Sequence, residues 1–453
     1  MTDDPAAAME RRIEEEGIEH VLVELPDING ISRVKQLSAE KFRSTWRDGP
    51  TMNLAVLVQT PRNDLPTGSG LAEEVDYADG RLGPDPETFR RLPWRQSAAR
   101  VLCDVEFRGE PVAAAPRQVL ADLVDTHLAD SDLEFRVGNE LEFYLLEALD
   151  EGGAGDIVPA TSDKHECVAW ATEAVMPFYE RLESWAEAYG VPLDSLQHEH
   201  GPGQLEVLFE HGPPMAGADR AFDFKRLVKQ TARLSDRHAT FMAKPFAGES
   251  GSGYHLHVSA FEGDENAFAG DGDEGGNGSG DRDGGRSLSE RGRGFLGGLL
   301  EHADALAAFG TPTLNGFKRF DPDGFVPWTA SWGWDNRRAM VRVPAGTTRL
   351  ESRVSAADAN PYLVVAATLA AGLDGMRSGL DPGEAVEGNP AGRRPELPRG
   401  PETALAALEA DEVMAEYLGE AVIRAYVATK RRELASFRGT VTEWERAQYV
   451  ETL

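Results

Sequence analysis

The sequence predicts an α+β protein, with a compact, mostly β unit over residues 1–108 and a larger unit over 109–453 in which helices pack on one sheet. Three observations carry this prediction. The first hundred residues are short β-type runs set between Asp, Asn, Gly and Pro; helical periodicity begins after GEPVAAAPRQVL; and between the later helices lie runs that place charged residues two positions apart.

In chain order, HVLVELPDING, GISRVKQL, TMNLAVLVQT and ARVLCDVEF read as strands and turns, with the first unit closing near Phe107. VGNELEFYLL carries Glu140 and Glu142 on one strand face, with Leu141 and Phe143 on the other. Val168, Val175, Phe178, Leu182, Trp185 and Tyr189 recur near the helical period and stop at Gly190. HEHGPGQLEVLF then brings Glu199 and Glu206, and GSGYHLHVSAF brings His255 and His257 two positions apart. Residues 262–294 are dominated by Gly, Asp, Ser and Arg, too apolar-poor to offset ordering entropy, so a flexible surface insertion is expected; an EF-hand spacing is absent. TTRLESRVS alternates Arg349, Glu351 and Arg353 on one face, and from Pro401 onward the pattern is helical.

Length allows two or three domains, and no run of eighteen apolar residues exists; Tyr362 to Leu373 is broken by Asp374. The opening MTDDPAAAMERRIEEEG is acidic, so neither a secretory signal nor a transit peptide is readable, and a cytoplasmic location is the expectation. Cys103 and Cys167 are too few for a disulfide framework or a thiolate metal site. A formal charge of -31 argues against nucleic acid and anionic membrane as partners. Only eight lysines stand among 46 basic residues, a balance suited to a salt-loving cytosol.

If the charged strands share one sheet, their carboxylates and imidazoles line one surface. Glu140, Glu142, Glu199, Glu206, His255 and Glu351 are then oxygen-rich ligands for two divalent ions such as Mg²⁺ or Mn²⁺. Arg319, Arg337, Arg342, Arg349 and Arg353 supply fixed positive charge of the kind phosphoryl transfer needs. No G-x-x-x-x-G-K-[ST] motif and no G-x-G-x-x-G after a strand is present, so a nucleotide is held by something other than a P-loop or Rossmann turn.

Over nearly its whole length the chain resembles the glutamine synthetase family, through GNELEFY, HEHGPGQLEV, GSGYHLHVS, NGFKRF, WGWDNRRAMVRVP, RLESRVSAADANPYL and KRRELASFRGTVTEWERAQY. The resemblance implies a β-grasp first domain, a catalytic domain whose antiparallel strands form a funnel, and hexameric rings stacked as a dodecamer. It implies that Glu142, Glu199 and Glu206 hold one metal and Glu140, His255 and Glu351 the other. It assigns Ser250, Gly251, Arg319 and Arg353 to glutamate, Arg337 to the transferring phosphate, and His257, Ser259, Arg342 and Arg349 to ATP as co-substrate. The implied reaction forms γ-glutamyl phosphate, from which an amine displaces phosphate.

Departures bear on the amine. Ammonia-using members carry a glutamate after the Lys-Arg pair, where KRFDPDGFVP offers Phe325, and an aspartate loop in the first domain, where Asp48 is the nearest match. A ring in place of a carboxylate favours an alkyl chain or an organic cation over ammonium. An organic amine or polyamine is therefore the expected acceptor; ammonia, and a catalytically silent relative, are the alternatives. No tyrosine after Gly388 matches the family's adenylylation loop.

The charge balance makes a direct prediction about salt. Melting temperature rises from low to molar KCl as the self-repulsion of the acidic surface is screened, and a flat profile in a thermal scan would refute it.

Overall fold

The computed structural model describes residues 4–129, 131–148, 157–162, 164, 166–270, 287–322, 324–346 and 348–453. Two sheets organise it. The first is seven-stranded and contains β1 (His20–Pro26), β2 (Ser32–Ser38), β3 (Thr51–Asn53), β4 (Asp79–Pro84), β5 (Arg90–Leu92), β6 (Arg95–Phe107) and β7 (Glu110–Pro111). β1 pairs antiparallel with β2 and parallel with the long β6.

Two short helices within this mostly β region, α1 (Pro5–Glu15) and α2 (Ala39–Thr45), fall between the runs expected as strands and were not expected from the sequence. Both start on side-chain caps: Asp4 accepts from the Ala6 N–H, and Ser38 from that of Lys41. TMNLAVLVQT is likewise a strand only through Asn53. There the Asn53 side chain accepts from the Ala55 N–H and opens a 3-10 turn over Leu54–Val58.

The second sheet has nine strands. They are β8 (Glu134–Glu147), β9 (Leu193–His198), β10 (Gln204–Phe209), β11 (Arg237–Thr240), β12 (Tyr254–Glu262), β13 (Glu265–Asn266), β14 (Trp332–Trp334), β15 (Val341–Val343) and β16 (Leu350–Ser352). The main path runs β14-β15-β16-β12-β8-β10-β9, with β12 at its midpoint and β8 beside it, where β8 also pairs with β11. The expected antiparallel arrangement needs one correction, because β14 and β15 pair in parallel.

The remaining helices are α3 (Pro116–Leu123), α4 (Ala169–Tyr189), α5 (Pro214–Arg233), α6 (Glu290–Glu301), α7 (Ala303–Gly310), α8 (Pro361–Ser378), α9 (Pro401–Ala410), α10 (Glu412–Leu418), α11 (Glu420–Arg438) and α12 (Glu443–Tyr449). α8 is buried along most of its length and packs on α6 backbone to backbone. A Cβ added at Gly298 would stand 1.9 Å from the Ala371 carbonyl oxygen, so only glycine allows that approach.

Of the expected insertion over 262–294, the middle, 271–286, lies outside the described residues. Its flanks are not loose. β13 folds back on β12, Phe268 is fully buried, Ala269 bridges Leu288, and α6 begins at Glu290. Phe268, which packs its ring near Phe135 and Phe295, supplies the apolar anchor that composition alone hid.

Buried and half-buried ion pairs join the first sheet to the helices packed on the second. Arg100 of β6 pairs with Asp223 of α5, and Arg226 of α5 pairs with Glu24 of β1. Arg117 of α3 reaches Asp85 at 2.7 Å, Asp104 at 3.0 Å and Asp219 at 3.1 Å. Breaking a buried pair from one side costs about 3–5 kcal/mol, because it strands the other charge.

A second polar clasp joins three helices. His302, between α6 and α7, contacts Asp411 at 2.8 Å and Asp374 of α8 at 3.1 Å. Burial disfavours its charged form, but the hydrogen bonds and charges of Asp411 and Asp374 outweigh burial and raise its pKa. A raised imidazole pKa stabilises the fold fully below the unfolded value near 6.5 and loses that contribution as pH rises through the folded value. Melting temperature therefore falls as pH climbs above about 6.5, and His302→Gln flattens that fall; parallel profiles for the two proteins would contradict the assignment.

Candidate functional site

Register brings the alternating charges together. Glu142 of β8 stands opposite Glu206 of β10, and Glu206 stands opposite Gln197 of β9. Glu140 stands opposite His255 of β12. His257 stands opposite Glu351 of β16, which in turn faces Arg342 of β15. Because side chains on paired positions share a face, these rows converge on one concave surface.

Two triplets of potential ligand atoms each gather within 4.8 Å: Glu140, His255 and Glu351, and Glu142, Glu206 and His255. His255 Nδ1 lies 2.5 Å from Glu140, and its Nε2 lies 3.9 Å from Glu142. Glu199, assigned to the second triplet by resemblance, joins it through an amide. Gln197 Nε2 donates to Glu199 at 2.5 Å and to Glu206 at 2.9 Å.

The two sides differ electrically. Glu351 is fully buried, yet Arg353, then His257 and His255, overcome the burial penalty and hold its carboxyl down to about 2. Arg342 also donates to it at 2.8 Å. Burial is likewise overcome at Glu140, where His255 and His257 hold the carboxyl well below the usual range. On the other side, burial and then the charges of Glu140, Glu142 and Glu199 push Glu206 up to about 11. Glu199 is raised by burial and Glu142, an effect Gln197 partly offsets. Carboxylates with so little cationic company fit a hard divalent ion, and a set of oxygens with one imidazole is the donor chemistry for Mg²⁺ or Mn²⁺.

Neutral donors fix these carboxylates in place. Glu142 accepts from Gln204 Nε2 at 2.8 Å and from the Gly253 N–H at 3.0 Å. Gln204 also donates to the Gly251 carbonyl at 3.1 Å, and Tyr144 donates to the Ser250 carbonyl at 2.7 Å. Scanning for ionisable pairs passed over Gln197, Gln204 and Tyr144, although Gln204 lies two positions from Glu206 on the same strand face. A Cβ at Gly251 would meet Arg319 Cγ at 2.5 Å, so glycine lets that arginine pass.

Arg319 is buried, and its Nε and Nη1 have no hydrogen-bond partner among the described residues. Burial lowers its pKa to about 10, with Glu142 and Asp358 pulling the other way. A buried guanidinium with unspent donors is suited to a carboxylate that arrives with substrate. Arg353 is also buried, and its Nε has no hydrogen-bond partner among the described residues. Arg349 Nε donates to His257 Nδ1 at 3.1 Å, leaving His257 Nε2 to donate to Glu140 at 3.2 Å. Ser259 follows two positions beyond His257 on β12, opposite Arg136.

Three expected residues stand apart from this cluster. Arg337 is exposed and makes no ion pair among the described residues. Phe325 is 66% exposed, with the Arg338 guanidinium 5.7 Å from its ring centre. Asp48 follows α2 on the first unit, where its carbonyl accepts from Arg81 at 3.4 Å.

Converging carboxylates, buried arginines with donors open to a ligand and a glycine-lined approach make a site for divalent ions and an anionic substrate. Residues 113–449 match the family described as "Glutamine synthetase, catalytic domain", and the chain belongs to the glutamine synthetase family. Glutamine synthetase of Halobacterium salinarum is 34% identical, covering 100% of this chain and 97% of that protein. Gamma-glutamylanilide synthase of an Acinetobacter species is 30% identical, covering 99% and 96%. Among solved structures, a GmaS/ADP complex superposes with a TM-score of 0.83 at 32% identity over 100% of both chains. GmaS without ligand gives 0.84. Members of the family generally use ATP and divalent metal ions, act on small molecules and are oligomeric. No described helix is long and apolar enough to cross a membrane.

The charge imbalance is testable without turnover. In chelator at neutral pH, Glu206→Gln melts higher than the unsubstituted protein because Glu206 must take up a proton on folding and glutamine need not, and added Mg²⁺ raises its melting temperature less. Equal melting in chelator would show that the repulsion is relieved elsewhere.

Proposed function

We propose that the protein phosphorylates the γ-carboxylate of glutamate with ATP and transfers the activated acyl group to an organic amine. Phe325 carries the choice of amine: it occupies the stretch after Lys318-Arg319 where ammonia-using relatives place a glutamate. Its exposed ring attracts an alkyl or aryl body, or an organic cation over its face, and lacks the charge that binds ammonium. The aniline in the name of the Acinetobacter relative and the ADP bound to the similar GmaS structure support this reading.

In this reading Arg319, Arg353, Gly251 and Ser250 hold glutamate, with Arg319's free donors meeting a carboxylate. His257, Ser259, Arg342 and Arg349 face ATP, and Arg337 steadies the phosphate in transit. Glu142, Glu199 and Glu206 hold one divalent ion, and Glu140, His255 and Glu351 the other. When bound, such ions supply positive charge to phosphate oxygens. Activation is needed because a carboxylate is a poor electrophile with a poor leaving group. Buried, hydrogen-bonded side chains keep the reacting groups in position and limit water. Asp48 acts from a neighbouring subunit, which makes assembly into paired hexameric rings part of the proposal, as is residence in a salt-rich cytoplasm.

Glutamine synthesis from ammonia is the second reading, favoured by the names of the Halobacterium salinarum and Thermotoga maritima relatives. Phosphate release from ATP and glutamate, measured with ammonium and with a panel of alkylamines, arylamines and polyamines, separates the two. We expect at least one organic amine to exceed ammonium by about tenfold in kcat/KM, within what an apolar contact of one or two methylenes provides. Phe325→Glu should narrow that gap. Faster turnover with ammonium than with every amine would overturn the proposal.

A further inference from the structure

A half-open cavity of about 930 Å³ lies between α5, β11, the 312–318 turn, α11 and the loop joining β1 to β2. Its charge is opposite to that of the chain as a whole. Of the eight lysines in a protein of net charge -31, Lys225, Lys229, Lys318 and Lys430 line this one cavity, with Arg226 and Arg233. Only two carboxylates, Asp358 and Glu433, share it.

Those cations are largely unspent. Lys229, Arg233 and Lys318 make no ion pair among the described residues and are exposed to the cavity. Lys225 Nζ donates to the Ala359 carbonyl at 2.5 Å and lies 5.8 Å from the Phe241 ring centre, and burial, partly countered by Asp358, lowers its pKa to about 7. Lys430 meets Asn29 Oδ1 at 2.7 Å and Glu433 at 3.5 Å, and Arg226 is committed to Glu24. The walls between the charges are apolar, with Phe222, Phe241 and Leu314 among them. A concave, low-dielectric wall bearing one sign of charge focuses its field on small ions of the other sign. Apolar walls with a few charged groups are also the usual makeup of a small-molecule site.

The cavity adjoins the catalytic side through one short turn. Gly316–Arg319 is a 3-10 turn in which Lys318 lines the cavity while Arg319 is buried at the glutamate side. Asp358 lines the cavity and its charge acts on Arg319. Asn315, also in the lining, exchanges hydrogen bonds of 2.8 and 2.9 Å with the backbone of Lys244. The preceding Ala243 carbonyl accepts from Ser252 and sits under Gly251.

We propose that this cavity binds a small amphipathic oxyanion, a phosphate- or carboxylate-bearing molecule with an apolar body, and that its occupancy changes glutamate binding through the Lys318-Arg319 turn. Only the second half rests on the proposed role of Arg319. The binding half is read without turnover, so its failure is distinct from failure of the amine-ligase reading.

The test uses the full chain at fixed KCl, titrated with 8-anilinonaphthalene-1-sulfonate as the probe. Expected is saturable fluorescence with one site per chain, at least tenfold weaker in Lys229→Gln/Arg233→Gln, whose kcat without probe is unchanged. A non-hydrolysable ATP analogue should leave the probe bound. Phenyl phosphate and phenylacetate as competitors distinguish a phosphate ligand from a carboxylate one. Saturating probe should shift the KM for glutamate at least twofold in the unsubstituted protein and leave that of the double variant unmoved. Equal affinity in the variant, or displacement by the ATP analogue, would overturn the site; an unmoved KM with the probe bound would overturn the coupling.

Discussion

Buried negative charge gathered on one face of the second sheet is the constraint to which the rest of the structure answers. Glu140, Glu142, Glu206 and Glu351 are each less than a tenth exposed, and carboxylates do not enter a protein interior without compensation. On one side the chain provides that compensation itself, with Arg342, Arg353, His255 and His257. On the other it provides amides and a backbone N–H, which orient carboxylates without neutralising them. The asymmetry leaves a half-built electrostatic environment whose completion must come with ligands, a common state of sites that are organised before their substrates arrive.

Charge is partitioned by depth as well as by side. The exterior of this chain is strongly acidic, yet the arginines inside it do structural work. Arg100, Arg117 and Arg226 tie the first sheet to α5 from positions that bulk salt screens poorly. The outer charge therefore can respond to ionic strength while the joint that sets one sheet against the other does not. α5 takes part in both arrangements: Asp223 and Arg226 face the first sheet, and Lys225, Lys229 and Arg233 face the basic cavity.

Much of this was legible in the sequence because a strand has a period of two. The polar pairs at 140/142, 255/257 and 349/351/353 announced a common face before any register was known. Register itself was not legible, since it depends on contacts between strands far apart in sequence, and so the Gln197–Glu206–Glu142 row emerged only from the fold. Neutral Gln197, Gln204 and Tyr144 carried no sign of their role, because an amide or phenol becomes informative only when its partner is known. In the first unit, α1 and α2 were missed because each is short and begins on a single capping side chain, a weaker signal than the β-branched runs around it. Around 262–294 composition misjudged the edges of the segment, where one buried ring, Phe268, outweighs the polar residues beside it.

The same period of two restricts how chain length can vary here. Adding or removing one residue inside β8 or β12 would turn every following side chain to the opposite face, sending glutamates and histidines into the apolar layer and leucines into the site. Substitutions on these strands are local, whereas an insertion or deletion acts on the whole surface at once. Length changes are therefore confined to the connections between strands, and the count of residues from Gly138 to Tyr144 is as much a part of the site as their identities.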